Sequence, residues 1–299
     1  MNWRYTVTRT ALAGALGACR PSGQSADAAL LLRARGVFAA IATPTDSSDA
    51  RALAQRQLGR RLFFEPRLSV DGRVSCATCH LPAHYASDSL PLSVGVLNRR
   101  TPRNVPTVLN ASLNFVEHWR GDRASLEDQA LKALTGPQSA GNPNVAVAQR
   151  RLRSLREYGP LFAAAFAEDS PIVSATHFAA AVAAYQRTLL TPSRFDRYLG
   201  GDSTVLLATE RRGLRLFIDV GCVGCHNGPG VGGNSFRKFG VYQDYWQATG
   251  SRSIDLGRFD VTHDTTAATS SRCRACATWA RRLPISTTDQ SLRSPTRFA

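Results

Sequence analysis

The chain has 299 residues, 43% of them hydrophobic, which allows one large domain or two of ordinary size with real cores. Its net charge of +15 comes from scattered arginines without a Lys/Arg block or a nucleic-acid motif, so a nucleic-acid partner is excluded. No apolar run is long enough for a membrane-spanning helix.

Arg4 and Arg9 precede a small-residue, mildly apolar stretch at 10–18 that ends in Leu16-Gly17-Ala18-Cys19. Residues 1–19 therefore read as an export signal. The last four match a lipobox, which places a lipid on Cys19 as the single membrane attachment; a plain secretory signal leaves Cys19 incidental. Either way the chain is expected in the periplasm. Residues 20–46 read as a tether.

At 48–65 apolar positions Leu53, Leu58 and Leu62 recur at helical spacing, with Asp49 near the start and Pro66 as the stop. After the Asp71-Gly72 turn comes Cys76-Ala77-Thr78-Cys79-His80, a C-x-x-C-H pentapeptide. Two thiols at this spacing add to the two vinyl groups of one porphyrin, and the next residue gives its imidazole to the iron. A long stretch to Leu126, dense in Pro, Asn, Gly and Ser, reads as a functional loop. Helices are predicted at 127–134, 145–157, 160–167 and 176–190. Thr191-Pro192 marks a boundary, and a helix at 209–219 delivers a second pentapeptide, Cys222-Val223-Gly224-Cys225-His226. Residues 221–240 form a glycine-rich loop. Two copies of the motif make two covalent haem c groups the reading, against two unrelated zinc or thiol sites. Cys76, Cys79, Cys222 and Cys225 are the thioether residues; His80 and His226 are the axial ligands. Cys273 and Cys276 form another C-x-x-C, but Ala277 stands where the His is needed. The fold class is mainly α, with two cytochrome c-like haem lobes, long loops and few strands.

From about Gln57 to Val261 the chain resembles the bacterial di-haem cytochrome c peroxidase family, which includes the di-haem enzyme that matures methylamine dehydrogenase. The resemblance rests on Leu58-Gly59-Arg60-Arg61-Leu62-Phe63-Phe64, Arg103-Asn104-Val105-Pro106-Thr107 and Phe115-Val116-Glu117-His118-Trp119-Arg120-Gly121. It continues through Cys225-His226-Asn227-Gly228-Pro229, 232–241 and Asp255-Leu256-Gly257-Arg258-Phe259. It implies reduction of hydrogen peroxide with electrons from a small cytochrome c or cupredoxin, and a homodimer. It also implies a peroxidatic haem in residues 47–191 and an electron-transfer haem in 192–264. Trp119 aligns with the electron relay between the haems, and Asn104 with a residue near a calcium site.

Three departures bear on activity. The region where many members place a distal His reads Ser93-Val94-Gly95-Val96-Leu97, which predicts an open, five-coordinate first haem; His84 and His118 have no assigned role. Ser139, in Pro137-Gln138-Ser139-Ala140-Gly141, stands at the position of the family's catalytic Glu; Glu127 or a water is left to carry its proton task. Residues 265–299 resemble nothing in the family, contain no Met, and read as an aberrant, poorly ordered tail. The stretch 285–291 is what a one-base shift through codons for F-H-D-G-S yields, so a frameshift near 265 is expected, with the Cys273/Cys276 pair accidental. His263 is then the nearest candidate to cap the second iron. Two alternatives stay open: a maturation-type oxidase of a protein Trp or Tyr, and a di-haem electron carrier without peroxide chemistry.

Overall fold

The computed structural model describes residues 23–42, 48–167, 169–251 and 253–272. The export signal with Cys19 and the Cys273/Cys276 pair lie outside these. The described chain is mainly α: α1 (Gly23–Arg35), α2 (Ala50–Phe63), α3 (Cys76–Cys79), α4 (Leu126–Ala133), α5 (Val145–Ser154), α6 (Gly159–Phe166), α7 (Ala175–Gln186), α8 (Arg194–Gly200), α9 (Ala208–Asp219), α10 (Tyr245–Thr249) and α11 (Phe259–Thr262). Strands β1 (Phe236–Lys238) and β2 (Ser270–Arg272) pair antiparallel. No described helix is long and apolar enough to cross a membrane.

Helix α2 starts where the sequence places it. The Asp49 carboxylate accepts from Arg51 N at 2.9 Å, relieving one of the amides that a helix start leaves unpaired. Leu58, Leu62 and Phe63 are buried; Leu53 is not, because the buried stripe begins one turn later. Gly59 lets α2 approach α7 so closely that a Cβ there would overlap the Ala181 carbonyl. α7 answers with small residues, Ala179, Ala181 and Ala183, all buried. Around this crossing lies the first core, which runs from Leu58 to Leu189 and includes Phe63, Phe162, Phe166 and Phe178; Cys76 and Ala77 pack against it.

A second core joins Ala34 and Phe38 to Tyr198, Leu199 and Leu206, with Leu214, Phe217, Ile218, Val223 and Val231 packed against it. Residues expected to tether the protein therefore build this core. The stretch 23–35 is rich in Ala, Leu and Arg, good helix formers, and its end ties to the second pentapeptide loop through Gly228 N to Val37 O at 3.0 Å. The reading of everything past 264 as a poorly ordered tail also needs correction for its first eight residues, 265–272. β2 pairs in register, Phe236 opposite Arg272, and buries Ser270 and Arg272. Backbone pairing needs only an extended chain, and Ser and Thr tolerate it.

Candidate functional site

The first pentapeptide opens as a one-turn helix. Ser75 and Thr78 close a capping box, with Thr78 Oγ1 accepting from Ser75 N at 2.9 Å. Cys76, Cys79 and His80 line a cavity of about 310 Å³. Both cysteines are free, and burial pushes the Cys76 thiol up to about 12 and the Cys79 thiol up to about 11. Burial also pushes His80 down to about 4, so its ring is neutral. His80 Nδ1 lies 3.2 Å from the Ala86 carbonyl, and the ring also bonds the Pro106 backbone, which together fix its orientation on the cavity wall. Free thiols beside a neutral, oriented imidazole on a cavity wall are a donor set that fits a covalent haem.

The second site repeats the arrangement. Cys222 and Cys225 are in no disulfide, and His226 Nδ1 is 3.3 Å from Val231 O. The Phe217 ring stands edge-on to His226 at 6.0 Å. Asn227 Nδ2 donates to Val223 O at 2.9 Å and pins the loop under the motif. His263, the candidate cap for this site, is exposed and rests edge-on against Phe259.

The Trp119 loop lies on the wall of the first cavity. Trp119 Nε1 donates to Asn104 O at 2.8 Å, and Trp119 O accepts from Arg272 N at 2.8 Å. Arg258 Nη1 donates to both Arg120 O and Gly121 O at 2.7 Å while its guanidinium sits 4.5 Å above the Phe236 ring. Arg103 pairs with Asp255 and lies 3.2 Å from Asp260. Burial alone would raise the Asp255 carboxyl, but the Arg103 guanidinium holds it below the ordinary range. The D-x-G-R-F segment and β2 thus clamp the Trp119 loop. Sequence reasoning singled out Trp119 and Asn104 but missed Arg272, which lies in the stretch read as tail. Asn104 Nδ2 donates to Leu90 O, and no cluster of three or more His, Cys, Asp or Glu among the described residues could hold a metal ion.

Ser139 does line the first cavity. Glu127 does not: it pairs with Arg187 at 2.5 Å on the outer side of α4, which removes it as the substitute acid. The 93–97 loop packs on the Ser139 turn, with Val96 N donating to Gln138 O at 3.3 Å and Gly95 too close to Gln138 O for any side chain. His84 is exposed and contacts Ser89 Oγ at 3.2 Å. His118 lies on the cavity wall, its Nδ1 3.2 Å from Asp122 Oδ1.

Comparison with known proteins bears on the whole arrangement. A cytochrome c551 peroxidase of Nitrosomonas europaea is 37% identical over 207 residues, covering 69% of this chain and 60% of that protein. A cytochrome c551 peroxidase of Pseudomonas aeruginosa is 41% identical over 209 residues, covering 70% of this chain and 60% of its own. The chain thus spans about 60% of the length of these relatives. The crystal structure of a MauG-like protein associated with microbial copper homeostasis superposes with a TM-score of 0.68 at 30% identity, covering 82% of this chain and 75% of that one. The di-haem peroxidase BthA of Burkholderia thailandensis shares the fold, with a TM-score of 0.64 at 20% identity over 82% of this chain and 70% of its own. The profile described as di-haem cytochrome c peroxidase matches residues 53–204, which hold the first pentapeptide, the Trp119 loop and the first core. With two thiol–thiol–imidazole sites in the family's order and this match, the chain belongs to the di-haem cytochrome c peroxidase family.

Proposed function

We propose that the protein is a periplasmic di-haem c peroxidase that reduces hydrogen peroxide to water with electrons from a small redox protein. The observation that carries this reading is the matching build of the two C-x-x-C-H sites, each with its His ring set against a backbone carbonyl, beside a Trp119 whose indole is bonded to Asn104 and whose carbonyl is bonded to Arg272 of β2. Cys76 and Cys79 would hold the peroxidatic haem, with His80 giving its imidazole to the iron, in a domain at 47–191. Cys222, Cys225 and His226 would do the same for the electron-transfer haem at 192–264. When bound, haem supplies an iron that cycles by single electrons and, with one open position, takes up a peroxide oxygen.

The chain's own residues do the rest. Ala86 O and Val231 O orient the two imidazoles. Trp119 relays electrons between the lobes. The small donor is a cytochrome c or a cupredoxin, and the chain's net charge of +15 favours an acidic one. Calcium at Asn104, a homodimer and a lipid on Cys19 belong to the same reading and rest on resemblance and sequence.

Stopped-flow mixing of the reduced holoprotein with peroxide tests the function. Rapid oxidation of both haems is expected. Inertness would leave the electron-carrier reading, which Ser139 favours because an exposed hydroxyl replaces the carboxylate.

A further inference from the structure

Peroxide reduction consumes two protons and two electrons per molecule and releases two waters, and it needs a group that moves a proton between the two oxygens as their bond breaks. Ser139 cannot do this, since its hydroxyl does not titrate in water. The other carboxylates on the cavity wall are engaged or misplaced for the task. Glu65 is held by Arg67 at 2.6 Å and by Tyr158 at 2.9 Å, with its acidity raised so far that it stays ionised. Glu117 is buried, accepts from Asn114 at 3.3 Å and faces Arg272; burial pushes its carboxyl up.

His118 is different. It lines the same cavity as His80 and Ser139, yet its side chain is 37% exposed, so one ring reaches both the cavity and solvent. Its Nδ1 is 3.2 Å from Asp122 Oδ1, and its Nε2 has no partner among the described residues. Asp122 is locked in turn by Arg123 at 2.7 Å and Arg120 at 3.5 Å. Burial would raise the Asp122 carboxyl, but His118, Arg123 and Arg120 together hold it well below the usual range. The backbone of His118 is left-handed, φ 65°, a conformation costly for His. Arg272 Nε, 3.3 Å from His118 O, and the Trp119–Arg272 bond hold it there.

We propose that His118, oriented by Asp122, is the proton acceptor and donor of the first cavity. Nε2 takes a proton from one peroxide oxygen and returns it to the other as the O–O bond breaks. The two electrons come from the external donor, and the two net protons enter from solvent through the exposed edge of the ring. The titratable and charged groups around the ring are Asp122, Arg120 and Arg123 on its own turn, Glu117 beside it, Arg272 from β2 and the neutral His80 across the cavity. The dyad of an imidazole and its orienting carboxylate is a common way to build such a base.

This proposal rests on the peroxidase reading, and its test separates the two. In the holoprotein, His118→Asn keeps a residue that tolerates the left-handed backbone. Its reaction with peroxide is expected to slow by about 10²–10⁴-fold, with the Soret spectrum and thioether attachment unchanged. Cyanide is the second probe, because hydrogen cyanide must lose a proton to bind. Its association rate is expected to fall in H118N, and by less in Asp122→Asn. Adding Ser139→Glu to H118N is expected to recover part of the peroxide rate. Wild-type peroxide kinetics and an unchanged cyanide rate in H118N would overturn the proposal. A wild type inert to peroxide whose cyanide rate still depends on His118 would sink the peroxidase reading alone.

Discussion

Arg272 N donates to Trp119 O at 2.8 Å, so the last described residue of the chain is hydrogen-bonded to a tryptophan on the wall of the first cavity. Arg272 is 6% exposed and also donates to Asn114 Oδ1 at 2.6 Å. Arg272→Ala removes the guanidinium bonds to Asn114 and His118 but keeps the main-chain bond. A loss of about 1–3 kcal/mol is expected, read as a lower urea midpoint with unchanged slope.

Arg258 makes a sharper case. Its Nη1 satisfies two carbonyls of the Trp119 loop, and Arg258→Lys cannot reach both with one ammonium and lie flat on Phe236. R258K is expected to cost about 1–2 kcal/mol of stability, and to slow electron exchange between the haems while both spectra stay intact. Flash reduction of one haem followed by relaxation measures the exchange.

Glu65 links stability to acid. Its pKa is lowered from 4.5 to about 2, first by the Arg67 hydrogen bonds, then by the Arg67 backbone amide and Tyr158. The folded value lies below the unfolded one, so its contribution is fully present above the unfolded pKa and is lost as pH falls through the folded value. Allowing for the half-exposed Arg67, it is worth about 2–3 kcal/mol at neutral pH. Glu65→Gln is therefore expected to flatten stability against pH between 4.5 and about 2, as followed by helical circular dichroism, and to lower Tm at neutral pH.

Gly59→Ala tests the α2–α7 crossing. The added methyl would overlap the Ala181 carbonyl, so the helices must part along their whole contact. The expected cost is about 1–3 kcal/mol or more, with a lower Tm in differential scanning calorimetry. Gly72→Ala, which meets nothing within 4 Å but has φ +68°, isolates backbone strain for comparison and is expected to cost only about 1 kcal/mol.

The helices α2, α4 to α7 and α9 and the two C-x-x-C-H sites were legible in the sequence. Both signals are local: a repeat of 3.6 residues marks a buried face, and two thiols and an imidazole within five residues are a complete haem attachment. What the sequence hid was always a matter of distance along the chain. Its place just after the export signal made 23–35 read as a tether, yet Ala34 and Phe38 close the second core against residues beyond 190. Glu127 looked available beside the missing carboxylate until Arg187, at the C-cap of α7, proved to hold it. His118 could not be told from a surface histidine by its neighbours in sequence. Only the tertiary fold puts its ring and Asp122 on one cavity wall with His80 and Ser139, because a cavity is a surface shared by segments that no local pattern connects. Sequence alone determined where the two C-x-x-C-H motifs lie. Packing decided which side chains share a cavity with the first of them and which segments clamp Trp119.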